Sequence, residues 1–322
     1  MGGKLSIAFS ALAIMMGAVL SLGAAPIVSP IVSPIISHYS INRANSVSAR
    51  QPGRSTSTAA RFHLDRGLGL LVQTWINGAG PYVFAIDTGA GLNLISERVV
   101  REARLPVNNT KPTLLGGLTG ARGSTNRAAL IQQMALGNSS NILPSKQVAL
   151  VVPLPAALDG ILDPNVAYAP NGYTIDFPNE MIQAFEGSLQ GREPPAGGAI
   201  VSWVRRAGSS RPYVKLQDGR TALVDTGSGF GLAVSGRDAV IVGGSDRQNA
   251  VVARDIGGGS ISSRRVAPTT VSIGQLELRG VPTDILFGVE ANAPVILGRD
   301  ALRPFKITFD PRRRLIEFEP PA

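Results

Sequence analysis

The feature that most constrains this chain is a duplication. Ala85-Ile86-Asp87-Thr88-Gly89-Ala90 returns as Leu223-Val224-Asp225-Thr226-Gly227-Ser228, and each copy closes an apolar, strand-like run. A single Asp-Thr-Gly is ordinary turn composition. Two, each at the end of such a run, mark a repeat. Behind the first copy comes Leu158-Asp159-Gly160-Ile161-Leu162, and behind the second Val295-Ile296-Leu297-Gly298. Gly160 follows Asp87 by 73 positions and Gly298 follows Asp225 by 73. Both segments lead to a further run, Tyr173-Thr174-Ile175-Asp176-Phe177 and Phe305-Lys306-Ile307-Thr308-Phe309. The pattern predicts two diverged copies of one β unit, each carrying one aspartate, with Gly160 and Gly298 in corresponding places.

Composition removes most other chemistries. With no cysteine there is neither disulfide nor thiolate chemistry, and with only His38 and His63 there is no His-rich metal site. No Gly-x-Ser-x-Gly elbow occurs, so a serine triad lacks its usual seat. The expectation is therefore chemistry run on carboxylates, with no cofactor and no metal. The net charge of +9 raises nucleic acid as a partner, but the basic residues are scattered. Their one run, Arg312-Arg313-Arg314, reads as a solvated hairpin tip after Asp310-Pro311, so no nucleic-acid partner is expected. The 37 glycines and 23 prolines suit many short strands joined by turns, and 322 residues are enough for two lobes.

Residues 1–25 read as a signal for export: Lys4 precedes an apolar stretch over 5–22, followed by Gly23-Ala24-Ala25. The alternative is an uncleaved anchor, in which residues 5–22 tether the chain to a membrane. Either places the remainder outside the cytoplasm, periplasmic or secreted. Residues 26–60 form a low-complexity linker in which Pro26-Ile27-Val28-Ser29 recurs as Pro30-Ile31-Val32-Ser33; proline every fourth residue forbids helix. A propeptide masking the site is the other reading of this stretch. The first lobe spans 61–185, with strands at Leu68 to Ile76 and Tyr82 to Ile86 joined through Asn77-Gly78-Ala79-Gly80, and another at Leu92 to Ser96. A Gly- and Pro-rich linker at 186–198 leads to the second lobe, 199–322. Glycine-rich tips occur in both, at Gly116, Gly117 and Gly120 and at Gly257, Gly258 and Gly259.

The paired Asp-Thr-Gly motifs with their apolar-Gly segments resemble the aspartic endopeptidases, the pepsin and retropepsin superfamily, over roughly residues 65 to 320. That resemblance implies an all-β fold of two pseudo-symmetric lobes with the active site in the cleft between them. It implies that Asp87 and Asp225 face one another across a shared water. Thr88 and Thr226 then bond to the opposite loop and hold the aspartates coplanar. Gly89, Ala90, Gly227 and Ser228 support them, and segments through Gly160 and Gly298 cross behind as psi loops. The glycine-rich tips become flaps over a protein or peptide substrate. Neither tip carries the tyrosine of pepsins, so the chain is more similar to the single-chain retropepsin-like proteases that bacteria export. Two half-sites in one chain imply a catalytic monomer.

Peptide hydrolysis needs an activated water and a proton for the leaving nitrogen. Two adjacent carboxylates holding one proton supply both, and they titrate as a pair. Ser228 against Ala90 predicts asymmetry: a hydroxyl donating to Asp225 favours its ionised form and leaves the proton on Asp87. Asp159 and Asp300 are expected at the surface or in turns, and Trp75 and Trp203 in packing. The alternatives are a catalytically silent peptide-binding module of the same fold and a carboxylate-pair glycosidase.

Overall fold

The computed structural model describes residues 58–206, 209–237 and 259–321, with backbone alone at 14–15 and 251–255. Most of the expected signal and linker, and the tip residues Gly257 and Gly258, lie outside the described residues.

Period-two alternation builds the first hairpin. In the strand Gly69–Ile76, Leu70, Val72, Thr74 and Ile76 are buried, one face of a pleated strand turned to the core. Its partner, Ala79–Ile86, follows a turn in which Asn77 (φ 50) and Gly78 (φ 82) both take positive φ. Such two-residue turns match the twist of the strands they join. The hairpin is thus tighter than the four-residue connection read from the sequence. Phe84, Ala85 and Ile86 are buried as this strand runs into Asp87.

Among the described residues the strands form two sheets. One runs in the order Ile14–Met15, Val251–Asp255, Ser260–Ile273, Leu276–Phe287, Leu232–Ser235, Val295–Gly298, Thr221–Asp225, Tyr213–Lys215. The other passes from Ala199–Ser202 through Leu315–Glu319 and Lys306–Asp310 to Gly172–Asp176, Met181–Phe185 and Ala60–Asp65, and on into the first hairpin. The last strands of the chain therefore complete a sheet begun in its first half. Lys306–Asp310 lies antiparallel to Gly172–Asp176, with Thr174 opposite Thr308 and their hydroxyls 3.0 Å apart. Beside them Tyr173 stacks on Phe309 at 4.6 Å. Both strands are the apolar runs expected from sequence. One continuous hydrophobic cluster reaches from Phe62 and Ile86 to Val224, Leu297 and Phe318, so the two halves share a core.

The ladders correct the correspondence of Gly160 with Gly298. Gly160–Leu162 runs parallel to the first aspartate strand with Gly160 opposite Phe84 and Leu162 opposite Ile86. Val295–Gly298 runs parallel to the second with Gly298 opposite Asp225. Counted from each aspartate, the counterpart of Gly298 is Asp163, and that of Gly160 is Val295. Short helices start directly after each, at Pro164–Ala167 and Arg299–Leu302, which fixes the match. The equal spacing of 73 arises because the first half has three more residues between its aspartate and its crossing strand. Glycine at 160 answers a different need: a Cβ there would run into the Phe84 ring. At Gly298 a Cβ would run into the carbonyls of Phe230 and Ser228.

Candidate active site

Asp87 and Asp225 end their strands in equivalent loops, each only 2% exposed. The two carboxyls are within hydrogen-bond reach of one another. Each is also held from its own loop, Asp87 Oδ1 by the Gly89 N–H at 2.7 Å and Asp225 Oδ1 by the Gly227 N–H at 2.9 Å. Glycine is required at both positions because the opposing carboxylate stands in the way: a Cβ on Gly89 would sit 2.7 Å from Asp225 Oδ1, and one on Gly227 would press on the Asp87 carboxyl.

The threonines lock the loops reciprocally. The Thr88 N–H donates to Thr226 Oγ1 at 3.1 Å, and the Thr226 N–H donates to Thr88 Oγ1 at 3.0 Å. Each hydroxyl then donates onward across the interface, Thr88 to the Val224 carbonyl at 2.7 Å and Thr226 to the Ile86 carbonyl at 3.0 Å. Both side chains are fully buried, so the four bonds join the loops without competing water.

Electrostatics split the pair. Burial pushes the Asp87 carboxyl well above the usual carboxylate range, and the Asp225 charge and hydrogen bond push it further. Burial also raises Asp225, but the hydrogen bond from Asp87, the Gly227 N–H, and the charges of Arg211 and Arg299 oppose it. These influences favour the shared proton on Asp87, the direction expected from sequence. The expected cause differs. Ser228 Oγ accepts the Phe230 N–H at 3.4 Å, and among the described residues no bond from it to the Asp225 carboxylate forms. The Asp87 hydrogen bond and the Gly227 N–H favour the charged Asp225 first, and two buried arginines add to them. Arg299 Nη1 donates to the carbonyls of Thr226 (3.0 Å) and Gly227 (2.9 Å), and Arg211 Nη2 donates to the Ala90 carbonyl at 3.0 Å.

Sequence reasoning missed Arg211, Arg299 and Asp163. The signal for Asp163 was present: Asp-Pro reads as the cap and first residue of a helix, and aligning that start with Gly298-Arg299 gives the correct register. Arg211 carries no local signal, since it arrives from a distant segment.

Asp159 is also corrected. It is buried, accepts the Val83 N–H at 2.9 Å and forms a two-pronged ion pair with Arg98. It thereby ties the segment before Gly160 to the aspartate strand. Asp300 is half-buried and pairs loosely with Arg303 at 3.9 Å. Trp203 is a packing residue with a further task, as its indole N–H donates to the Arg211 carbonyl at 2.8 Å.

Gly116 ends the strand Val107–Gly116, which returns as Arg122–Ile131. Gly117 and Gly120 lie in the tip between them, Gly120 with φ 76. The tip reaches the second half of the chain. Leu118 is buried against Ala233, Ile261, Leu286 and Ile296, and its carbonyl accepts the Glu290 N–H at 2.8 Å. Gly259, from the second tip, stands against Thr119.

Comparison with known proteins agrees with this geometry. An aspartyl protease family profile matches residues 72–163, which contain the first aspartate loop, the hairpin and the first crossing strand. No curated protein matches the chain. Among solved structures, an aspartic proteinase from Irpex lacteus superposes with a TM-score of 0.54 at 11% identity, covering 82% of this chain and 97% of that one. At that identity the likeness speaks for the fold, two lobes in which strands far outnumber helices. Residues 72–163 are thus similar to an aspartyl protease family, and the chain has the fold of an aspartic proteinase.

Proposed function

We propose that the protein is an exported aspartic endopeptidase that hydrolyses peptide bonds with Asp87 and Asp225. The observation that carries this reading is the pair of buried carboxyls within hydrogen-bond reach of one another, their loops held in register by reciprocal threonine bonds. Asp225, the side opposed by two arginines, takes a proton from water as the water oxygen attacks the peptide carbonyl carbon. Asp87 gives its proton to the carbonyl oxygen, forming a gem-diol. Collapse of the gem-diol breaks the C–N bond, with a proton passing to the leaving nitrogen and the dyad restored. The flap over 117–121 covers the substrate backbone, and its glycines let main chain approach main chain.

The substrate is a protein or peptide, and the enzyme works as a monomer, because both aspartates come from one chain. Export to the periplasm or medium rests on the pattern of residues 1–25, with 5–22 as a membrane tether if uncleaved. The test is cleavage of a peptide library by the wild type, by Asp87→Asn and by Asp225→Asn. Each substitution is expected to lower kcat by about three orders of magnitude or more. Cleavage surviving in either variant rejects the mechanism. N-terminal sequencing of the protein recovered outside the cytoplasm tests export.

A further inference from the structure

The two crossing strands end differently, and the difference places an additional acid beside the dyad. In the second half, Gly298 is obligatory because Ser228 and Phe230 crowd it, and the next residue, Arg299, clamps its own aspartate loop. In the first half, Ala90 stands where Ser228 does, and the position of Gly298 is filled by Asp163, wholly buried. Pro164 follows it and has no side chain with which to clamp. The clamp comes instead from the other half: Arg211, 4% exposed, reaches across to the Ala90 carbonyl.

Asp163 is placed from several sides. Its N–H donates to Asn93 Oδ1 at 2.9 Å, and its Oδ1 accepts the Asn165 N–H and side-chain amide, both at 2.9 Å. Its Oδ2 has no geometrically sound partner, nor does Arg211 Nε. Among the described residues, the titratable and charged groups that act on this carboxyl or feel it are Arg211, Asp87 and Tyr173. Burial raises it to about 7, outweighing the Asn165 bonds, Arg211 and the Gly91 N–H, which favour its charged form. The Asp87 N–H donates to the carbonyl of Leu162, the residue just before Asp163, at 2.9 Å, and the Asp163 charge so placed raises Asp87. The cap on Pro164–Ala167 needs only an oxygen, which asparagine or serine supplies as well. A carboxyl buried here beside a guanidinium is more than a cap requires.

We propose that Asp163, with Arg211, is a positioning residue for the catalytic pair, and that its charge governs how tightly Asp87 holds the shared proton. This rests on the protease reading above. As pH rises towards neutral, Asp163 ionises, and the negative charge beneath the first loop makes the Asp87 proton harder to remove. The singly protonated dyad then persists to higher pH than two aspartates alone would allow.

Two measurements on the full-length protein test it. In the pH profile of kcat/KM, Asp163→Asn keeps the cap and removes the charge. Its alkaline limb is expected to move to lower pH by about half a unit, about threefold in rate at neutral pH, with the acid limb unmoved. Superposable limbs overturn the proposal. The second is a carbon-NMR titration of labelled aspartate carboxyls, in which the Asp87 signal should titrate at lower pH in the variant; an unmoved Asp87 overturns the proposal without reference to turnover. A wild type that cleaves nothing rejects the protease reading, while the NMR titration still decides the coupling. Asp163→Ser, also neutral and capping, replaces Asp163→Asn should that chain not fold.

Discussion

At the scale of single residues, the site depends on groups that have no room for alternatives. Replacing Thr226 by alanine removes the acceptor of the Thr88 N–H and the donor to the Ile86 carbonyl, both buried. Stranding such groups costs about 1–3 kcal/mol, so Thr226→Ala should lower stability in urea by that order and lower kcat, whereas Thr226→Ser should retain most of both. Gly89→Ala should fold less stably and lose nearly all turnover, because its methyl group meets the opposing carboxylate. Stability also depends on pH through Asp163. Its carboxyl lies at about 7 in the fold against 3.8 when free, so the fold favours the neutral acid. That stabilisation is full below about pH 4 and is lost as pH rises through about 7. Denaturant titrations across this window should show a falling slope in the wild type and a flatter one in Asp163→Asn. The aspartates, threonines and glycines were legible in sequence because close approach of two loops admits no other residues. Asp163 was not, because equal spacing pointed to Gly160, and only the ladder reveals which residue stands beside each aspartate.

At the scale of elements, strands were legible wherever one face is buried and alternation is clean, as in Gly69–Ile76. The hairpin Val107–Gly116 with Arg122–Ile131 was legible as a glycine-rich tip between apolar runs. Its docking was not, since the partners of Leu118 come from more than a hundred residues away. A buried leucine and a main-chain bond to Glu290 are among the contacts that hold the tip. Burying a leucine contributes about 1.5–3 kcal/mol, so Leu118→Ala should leave the fold intact and release the tip. Amide exchange at Glu290 is expected to quicken by about tenfold or more, and a probe protease should nick the chain near 117–121 sooner. Unchanged exchange would show that the tip is held by something other than Leu118.

At the scale of the whole molecule, a repeat in sequence becomes a single site because the halves share a sheet and a core. The sequence predicts two lobes joined by a linker, and nothing local in it says that Lys306–Asp310 and Leu315–Glu319 will pair with strands of the first half. Register between distant strands is set by cross-chain packing such as Tyr173 on Phe309. Since one chain supplies both aspartates, specific activity should not fall on dilution, and light scattering should report one chain of 33.6 kDa, or less after processing. An activity that falls on dilution would place the working site between two copies.

The order in which that shared sheet is assembled has a consequence for how the protein is made. Tyr173 has no Phe309 to lie against until the chain has been synthesised past residue 309. A nascent chain that has not reached Lys306–Asp310 lacks a strand with which Gly172–Asp176 pairs. The proposed site thus stands on a sheet that closes only once strands from both halves have been made.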